Sequence, residues 1–131
     1  MSIEEKIAEY RNQFDALNAI DNMEMYQWMI GLGKKLQENP LSEEKRILCN
    51  QVTYCQYNLF VDKEDNEFKA WSDAMIASGY AYMLLDIFNS VGADAKNITL
   101  DSFADLEIGN MLSMNRQNGF YQMISIMQKK L

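Results

Sequence analysis

No histidine occurs anywhere in the 131 residues. That absence alone removes the Cys-His dyad, the Ser-His-Asp triad and every histidine-containing zinc site. Cysteine is nearly as scarce: Cys49 and Cys55 are the only two, too few for a four-cysteine metal site in one chain, and their spacing matches no zinc knuckle. Positive charge is thin as well, with 12 Lys and Arg against 19 Asp and Glu and a net charge of −7. A nucleic-acid groove therefore lacks its clustered cations, and any charged partner surface is expected to be basic. The N-terminus is acidic (Glu4, Glu5) and has neither the basic start nor the apolar core of a signal peptide. A cytoplasmic location is expected, and with it free thiols in place of a structural bridge.

What is present is ordinary for a soluble globular chain: 48% hydrophobic and 24% charged residues. The length suits one domain over residues 1–131, large enough for a core without disulfide staples. The ten methionines read as adaptable core filler.

Ser2 and Glu5 have the spacing of a capping box. They open a helix to about Leu17 in which Ile3, Ile7, Tyr10, Phe14 and Leu17 share one face. Asp21 or Asn22 caps a second helix that turns Met25, Met29, Leu32 and Leu36 inward, and Pro40 follows its end. Close packing is the expected reason for Gly31 and Gly33 inside it. After a charged turn at 42–46 the pattern changes to strands at 47–53, 57–63 and 67–71, with Asp65-Asn66 as the turn between the last two. Ser72 or Asp73 caps a third helix over 74–88, apolar nearly all round, with Asp86 its only charge beyond the cap. It is too short and too interrupted to span a membrane. A loop at 92–97, a helix at 100–111 and a last helix at 115–129 with Met123, Ile126 and Met127 inward complete the chain. The class is α+β, a small three-stranded antiparallel sheet packed against about five helices.

Within residues 50–61, Cys55 falls at or beside the first turn of the meander, where a loop can expose a side chain that strands hold in place. Cys49 carries no motif and reads as a buried strand residue. By position alone Cys55 favours packing over chemistry.

Three motifs in order resemble those of the SufE family, the sulfur-accepting partners of cysteine desulfurases in iron–sulfur cluster assembly. The family's Gly-Cys-Gln-Ser-x-Val-Trp loop is here Tyr54-Cys55-Gln56-Tyr57-Asn58-Leu59-Phe60. Its Gly-Asp-Ser-Asp-Ala run is Ala70-Trp71-Ser72-Asp73-Ala74, followed by Gly79. Its Leu-Ser-Pro-Ser-Arg-x-Asn-Gly stretch is Leu112-Ser113-Met114-Asn115-Arg116-Gln117-Asn118-Gly119. Residues 26–34, with Ile30, Leu32 and Gly33, also resemble the family's second helix. The aromatic replacements Tyr54, Tyr57, Phe60 and Trp71 make this a divergent member.

The resemblance implies a SufE/IscU-like α+β fold and a sulfurtransferase-type accessory protein. On that reading Cys55 takes persulfide sulfur from a cysteine desulfurase, which itself carries the pyridoxal phosphate; no cofactor is expected on this chain. Gln56 lies beside the sulfur, while Tyr54, Tyr57 and Phe60 offer apolar cover. Asp73 belongs to the supporting or partner-binding set. Arg116 is the candidate cation for the thiolate, with a salt bridge or a helix-entry hydrogen bond as its other reading. The expected partners are the desulfurase and a downstream iron–sulfur scaffold, with no nucleic acid and no membrane, for a monomer or weak homodimer. The changes around Cys55 equally fit a second class, a binding module that keeps the fold and a partner surface but transfers no sulfur.

Overall fold

The computed structural model describes residues 2–18, 22–54, 57–99, 102–103 and 114–131. Ser2 Oγ accepts the Glu5 N–H at 3.1 Å, and helix α1 runs on from this cap over Ile3–Asn18. Its Ile7, Tyr10 and Phe14 are buried at the expected spacing. Helix α2, Asn22–Glu38, turns Met25, Met29, Leu32 and Leu36 inward. Asp21, one of the two caps expected for it, lies outside the described residues. Trp28 of α2 takes the edges of Tyr10 and Phe14, with ring centroids 6.1 and 5.0 Å away, which joins the first two helices.

Helix α3, Met75–Val91, is buried along most of its length. Its Asp86 ties α1 down: Tyr10 Oη donates to Asp86 Oδ2 at 2.5 Å, and Lys6 Nζ lies 3.0 Å from the same oxygen. Burial, reinforced by the bond to Asp86, pushes the Tyr10 phenol far above its ordinary pKa, so Tyr10 stays a donor. The helix begins at Ala74, not at the expected Ser72 or Asp73 caps. Ser72 Oγ accepts the Ala74 N–H at 3.2 Å, while the Asp73 carboxylate is used elsewhere. Gly92, at φ 63°, ends α3 with its N–H donated to the Phe88 carbonyl, and 3-10 turns over Gly92–Asn97 replace the expected loop.

Helices α2 and α3 cross backbone against backbone. A Cβ at Gly33 would stand 2.8 Å from the Met75 carbonyl oxygen, and one at Gly79 would collide with the Met29 carbonyl. Gly31 differs: nothing lies within 4 Å of where its Cβ would be, so the close packing expected of both α2 glycines belongs to Gly33 alone.

Strands β1, Leu59–Glu64, and β2, Glu67–Ser72, form an antiparallel hairpin with Glu64 opposite Glu67. The two residues between them, Asp65 and Asn66, have φ of 54° and 67°. Both are left-handed, the backbone a two-residue hairpin with the right twist requires. Leu59, Val61, Phe68 and Ala70 face the core, and β2 packs on α3, where Phe68 meets Phe88 edge to face at 5.7 Å. Along the free edge of β2, the Phe68 backbone is bracketed by the Asn89 carboxamide and the Ala70 carbonyl accepts the Leu41 N–H.

The expected strand at 47–53 is absent. In its place is a 3-10 turn, Leu48–Asn50, followed by one isolated bridge, Gln51 to Phe60. Asn50 is the reason. Its side chain is 3% exposed, donates to the Lys45 carbonyl and to Asp62 Oδ2, and accepts from Lys130 Nζ at 2.8 Å. The backbone donors of Asn50 and Gln51 are spent on Ile47 and Leu48. Side-chain bonds of this kind compete with a ladder and here they win.

Helix α4, Met114–Lys129, closes the chain with Phe120, Met123 and Met127 in the core. The expected helix at 100–111 falls outside the described residues except for Ser102 and Phe103, which lie in a 3-10 turn. Phe103 is buried against Phe120. Among the described residues the architecture is α+β, with four α-helices and a two-stranded antiparallel sheet, against the five helices and three strands expected. No helix among them is long and apolar enough to cross a membrane.

Gly31 of α2 and Gly79 of α3 give opposite predictions. Gly31→Ala should raise stability by about 0.5–1 kcal/mol through helix propensity alone, whereas Gly79→Ala should lower it by about 1–3 kcal/mol through overpacking at the crossing. Urea midpoints of the two variants check this; equal midpoints would show that the crossing yields to a methyl group.

Candidate functional site

The Val52 N–H donates to the Leu59 carbonyl at 2.8 Å, and residues 53–54 and 57–58 lie beyond that bond, outside the ladder. Both of these short segments are pinned by side chains from other elements. On the leading side, Gln122 of α4 accepts the Tyr54 N–H on Oε1 at 2.7 Å and donates from Nε2 to Thr53 Oγ1 at 2.8 Å. On the trailing side, Asp73 accepts the Asn58 N–H on Oδ1 and the Asn58 Nδ2 on Oδ2, each at 3.0 Å, and its own N–H donates to the Asn58 carbonyl at 3.3 Å. Asp73 is thus a clamp at the entry to α3. Cys55 and Gln56, the two residues on which the sequence placed the chemistry, lie outside the described residues.

Tyr54 and Tyr57 are 67% and 50% exposed. The Phe60 ring stacks on Trp71 at 6.1 Å on the outer face of the hairpin, and the Arg46 guanidinium covers Trp71 at 4.6 Å. The aromatic residues by which the motifs differ from the family's therefore divide into two groups, Tyr54 and Tyr57 presented to solvent and Phe60 and Trp71 stacked upon the sheet.

Residues 50–54 run along α4. Asn50 meets Lys130 and Tyr54 meets Gln122, eight residues apart on the helix and so separated by about 12 Å of rise. The direction is toward the N-terminal end of α4, where Arg116 sits half-buried and engaged in the first turn. Cys49 lies at the opposite end of the segment. It is a free, exposed thiol whose Sγ approaches Asn50 Oδ1 at 3.8 Å. This corrects its expected place as a buried strand residue, because Asn50 has taken the inward position.

Asp62 anchors the same segment from the sheet. It faces Lys130 at 3.3 Å, Lys45 at 3.8 Å and the Asn50 carboxamide at 3.2 Å. Burial pulls its pKa upward, but the Lys63 N–H and the ammonium groups of Lys130 and Lys45 outweigh it and hold the carboxyl below its ordinary value. Among the described residues no cluster of three metal-binding side chains occurs. A groove of about 480 Å³ beside Tyr54 is bounded by Ile98, Tyr121 and Gln122, and among the described residues its lining has no charged side chain.

The chain matches the SufE family, described as an Fe-S metabolism associated domain, over residues 8–131. It is also 29% identical over 115 residues to an uncharacterized SufE-like protein of Synechocystis sp., an alignment that covers 84% of this chain and 71% of that protein. The chain belongs to the SufE family as a divergent member, and that family is associated with Fe–S metabolism.

The sequence named Asp73, which holds Asn58, but did not name Gln122 or Asn58 as supports. Gln122 reaches its partners across 68 and 69 positions, a distance over which spacing carries no signal. The Asp62 network predicts a pH dependence. A depressed carboxyl pKa adds stability that is complete above the ordinary aspartate value and is lost as pH falls through the folded-state value. Asp62→Asn should therefore cost about 1–2 kcal/mol at neutral pH, and the gap from wild type should narrow in denaturation curves taken between about pH 5 and pH 3. A gap that stays constant over that range would remove Asp62 from the acid response.

Proposed function

We propose that this protein accepts sulfur from a cysteine desulfurase and stimulates its turnover, with Cys55 as the carrying thiol. The observation that carries the reading is the loop itself: in a SufE-family chain, the residues on either side of the Cys55-Gln56 pair are held from two directions, by Gln122 and by Asp73. A nucleophile that must meet a buried electrophile on another protein gains from anchored shoulders, because fewer conformations are lost on docking.

The Cys55 thiolate attacks the outer sulfur of the desulfurase persulfide. The S–S bond of that persulfide breaks, its cysteine leaves as a thiolate, and a new S–S bond forms on Cys55, so the exchange is redox-neutral. An unperturbed thiol of pKa about 8.5 is only a few per cent ionised at neutral pH. With no histidine in the chain, a cation or a helix N-terminus is the available means of raising that fraction. Arg116 and the start of α4 stand at the end toward which residues 50–54 run, which supports Arg116 in this role. The pyridoxal phosphate belongs to the desulfurase, and the sulfur passes on to an iron–sulfur scaffold.

A second reading, a binding module without sulfur transfer, draws support from the exposure of Tyr54 and Tyr57, large aromatic surfaces suited to a partner contact. The two separate cleanly. After incubation with desulfurase and free cysteine, intact-mass measurement should find one added sulfur on the wild-type chain and none on Cys55→Ser, and the desulfurase rate should rise only with the wild type. A complex of equal strength for both chains, with no sulfur adduct and no rate change, would establish the binding module instead.

A further inference from the structure

The strand ladder ends at the Val52–Leu59 bond, so the backbone beyond it needs another partner. Gln122 supplies one from a helix whose opposite face, Met123 and Met127, is locked in the core. Both ends of one carboxamide are engaged, the oxygen with the Tyr54 N–H and the nitrogen with the Thr53 hydroxyl. The Tyr54 side chain contributes little to its own placement, since most of it is in solvent. The position of the backbone immediately before residue 55 is therefore set by the hydrogen-bonding capacity of a residue far away in sequence. We propose that Gln122 is a positioning residue for the Cys55 thiol: it fixes the peptide that leads into Cys55 relative to α4, and through it the approach of electrophiles to the sulfur. This rests on the reading of Cys55 as the sulfur-carrying thiol.

The bonds make a chemical prediction beyond shape. Gln122→Leu removes donor and acceptor together. Gln122→Glu keeps an acceptor for the Tyr54 N–H, and the Thr53 hydroxyl can rotate to donate to the same carboxylate. The latter should behave like the wild type. Cys49 supplies an internal reference, being exposed and free and lying beyond the Asn50–Lys130 contact at the other end of the segment.

The free protein is treated with iodoacetamide, and the alkylation rates of Cys55 and Cys49 are resolved by peptide mass. Gln122→Leu should raise the Cys55-to-Cys49 rate ratio at least about fivefold, since two bonds are lost and one ordinary hydrogen bond alone accounts for a change of about that size, with the Cys49 rate and the thermal midpoint unchanged. Gln122→Glu should restore the wild-type ratio. In parallel, sulfur transfer from the desulfurase should slow in Gln122→Leu and recover in Gln122→Glu. An unchanged ratio in a folded Gln122→Leu overturns the proposal, and so does an equal change in both variants, which would assign the effect to side-chain shape. Should Gln122→Leu fail to fold, Thr53→Val removes one of the two bonds from the other side; a rise in the same ratio supports the proposal and no rise overturns it. If the wild-type chain takes up no sulfur, the functional reading fails while the alkylation ratio still decides the positioning role.

Discussion

Because Gly79 has no side chain, Met29 rests its carbonyl and thioether directly on the backbone of α3, and Gly33 does the same in return against Met75. The approach fixes how deeply α2 sits on α3 and where along it, since a methyl group at either position would meet backbone and not a flexible tip. The rest of the fold uses the remaining faces of α3. Phe88 and Asn89 receive the hairpin, Tyr80 receives Phe120 of α4 at 5.9 Å, and Asp86 receives α1 through Tyr10 and Lys6. The single charge on that apolar helix has a structural use, as the electrostatic anchor of the N-terminal helix.

The segments on either side of Cys55-Gln56 are referenced to two of these bodies at once. One shoulder belongs to α4 through Gln122 and the other to the entry of α3 through Asp73. These bonds are solvent-accessible and each is modest, while the helices that they tie to carry their other faces in the core.

Features decided by neighbouring residues were legible in the sequence: the Ser2 cap, the Asp65-Asn66 turn and the inward face of α2 all depend on spacings of a few positions. Features decided by distant partners were not. The expected first strand yields to Asn50, whose carboxamide answers to Asp62 and Lys130, 12 and 80 positions away, and Cys49 is exposed as a result. Asp73 looked like a helix cap and is a clamp on Asn58, since an aspartate before a helix suits either use. Gly31 and Gly33 look alike in sequence and are told apart only by which one faces the crossing. Of the candidate site, Asp73, Arg116 and the exposed tyrosines have described positions, whereas Cys55 and Gln56 lie outside the described residues.

A two-stranded sheet ordinarily invites a third strand from another molecule, since its outer backbone groups are unpaired. Here those groups are occupied along both margins. The Leu41 backbone and the Asn89 side chain take the outer edge of β2, while Gln51, Val52 and the Lys45 ammonium, on the Lys63 carbonyl at 2.7 Å, take that of β1. Strand addition to this hairpin, in which a partner is recognised by its peptide groups almost regardless of sequence, therefore finds few open groups among the described residues. A partner is then chosen by the side chains it meets, the exposed Tyr54 and Tyr57 among them.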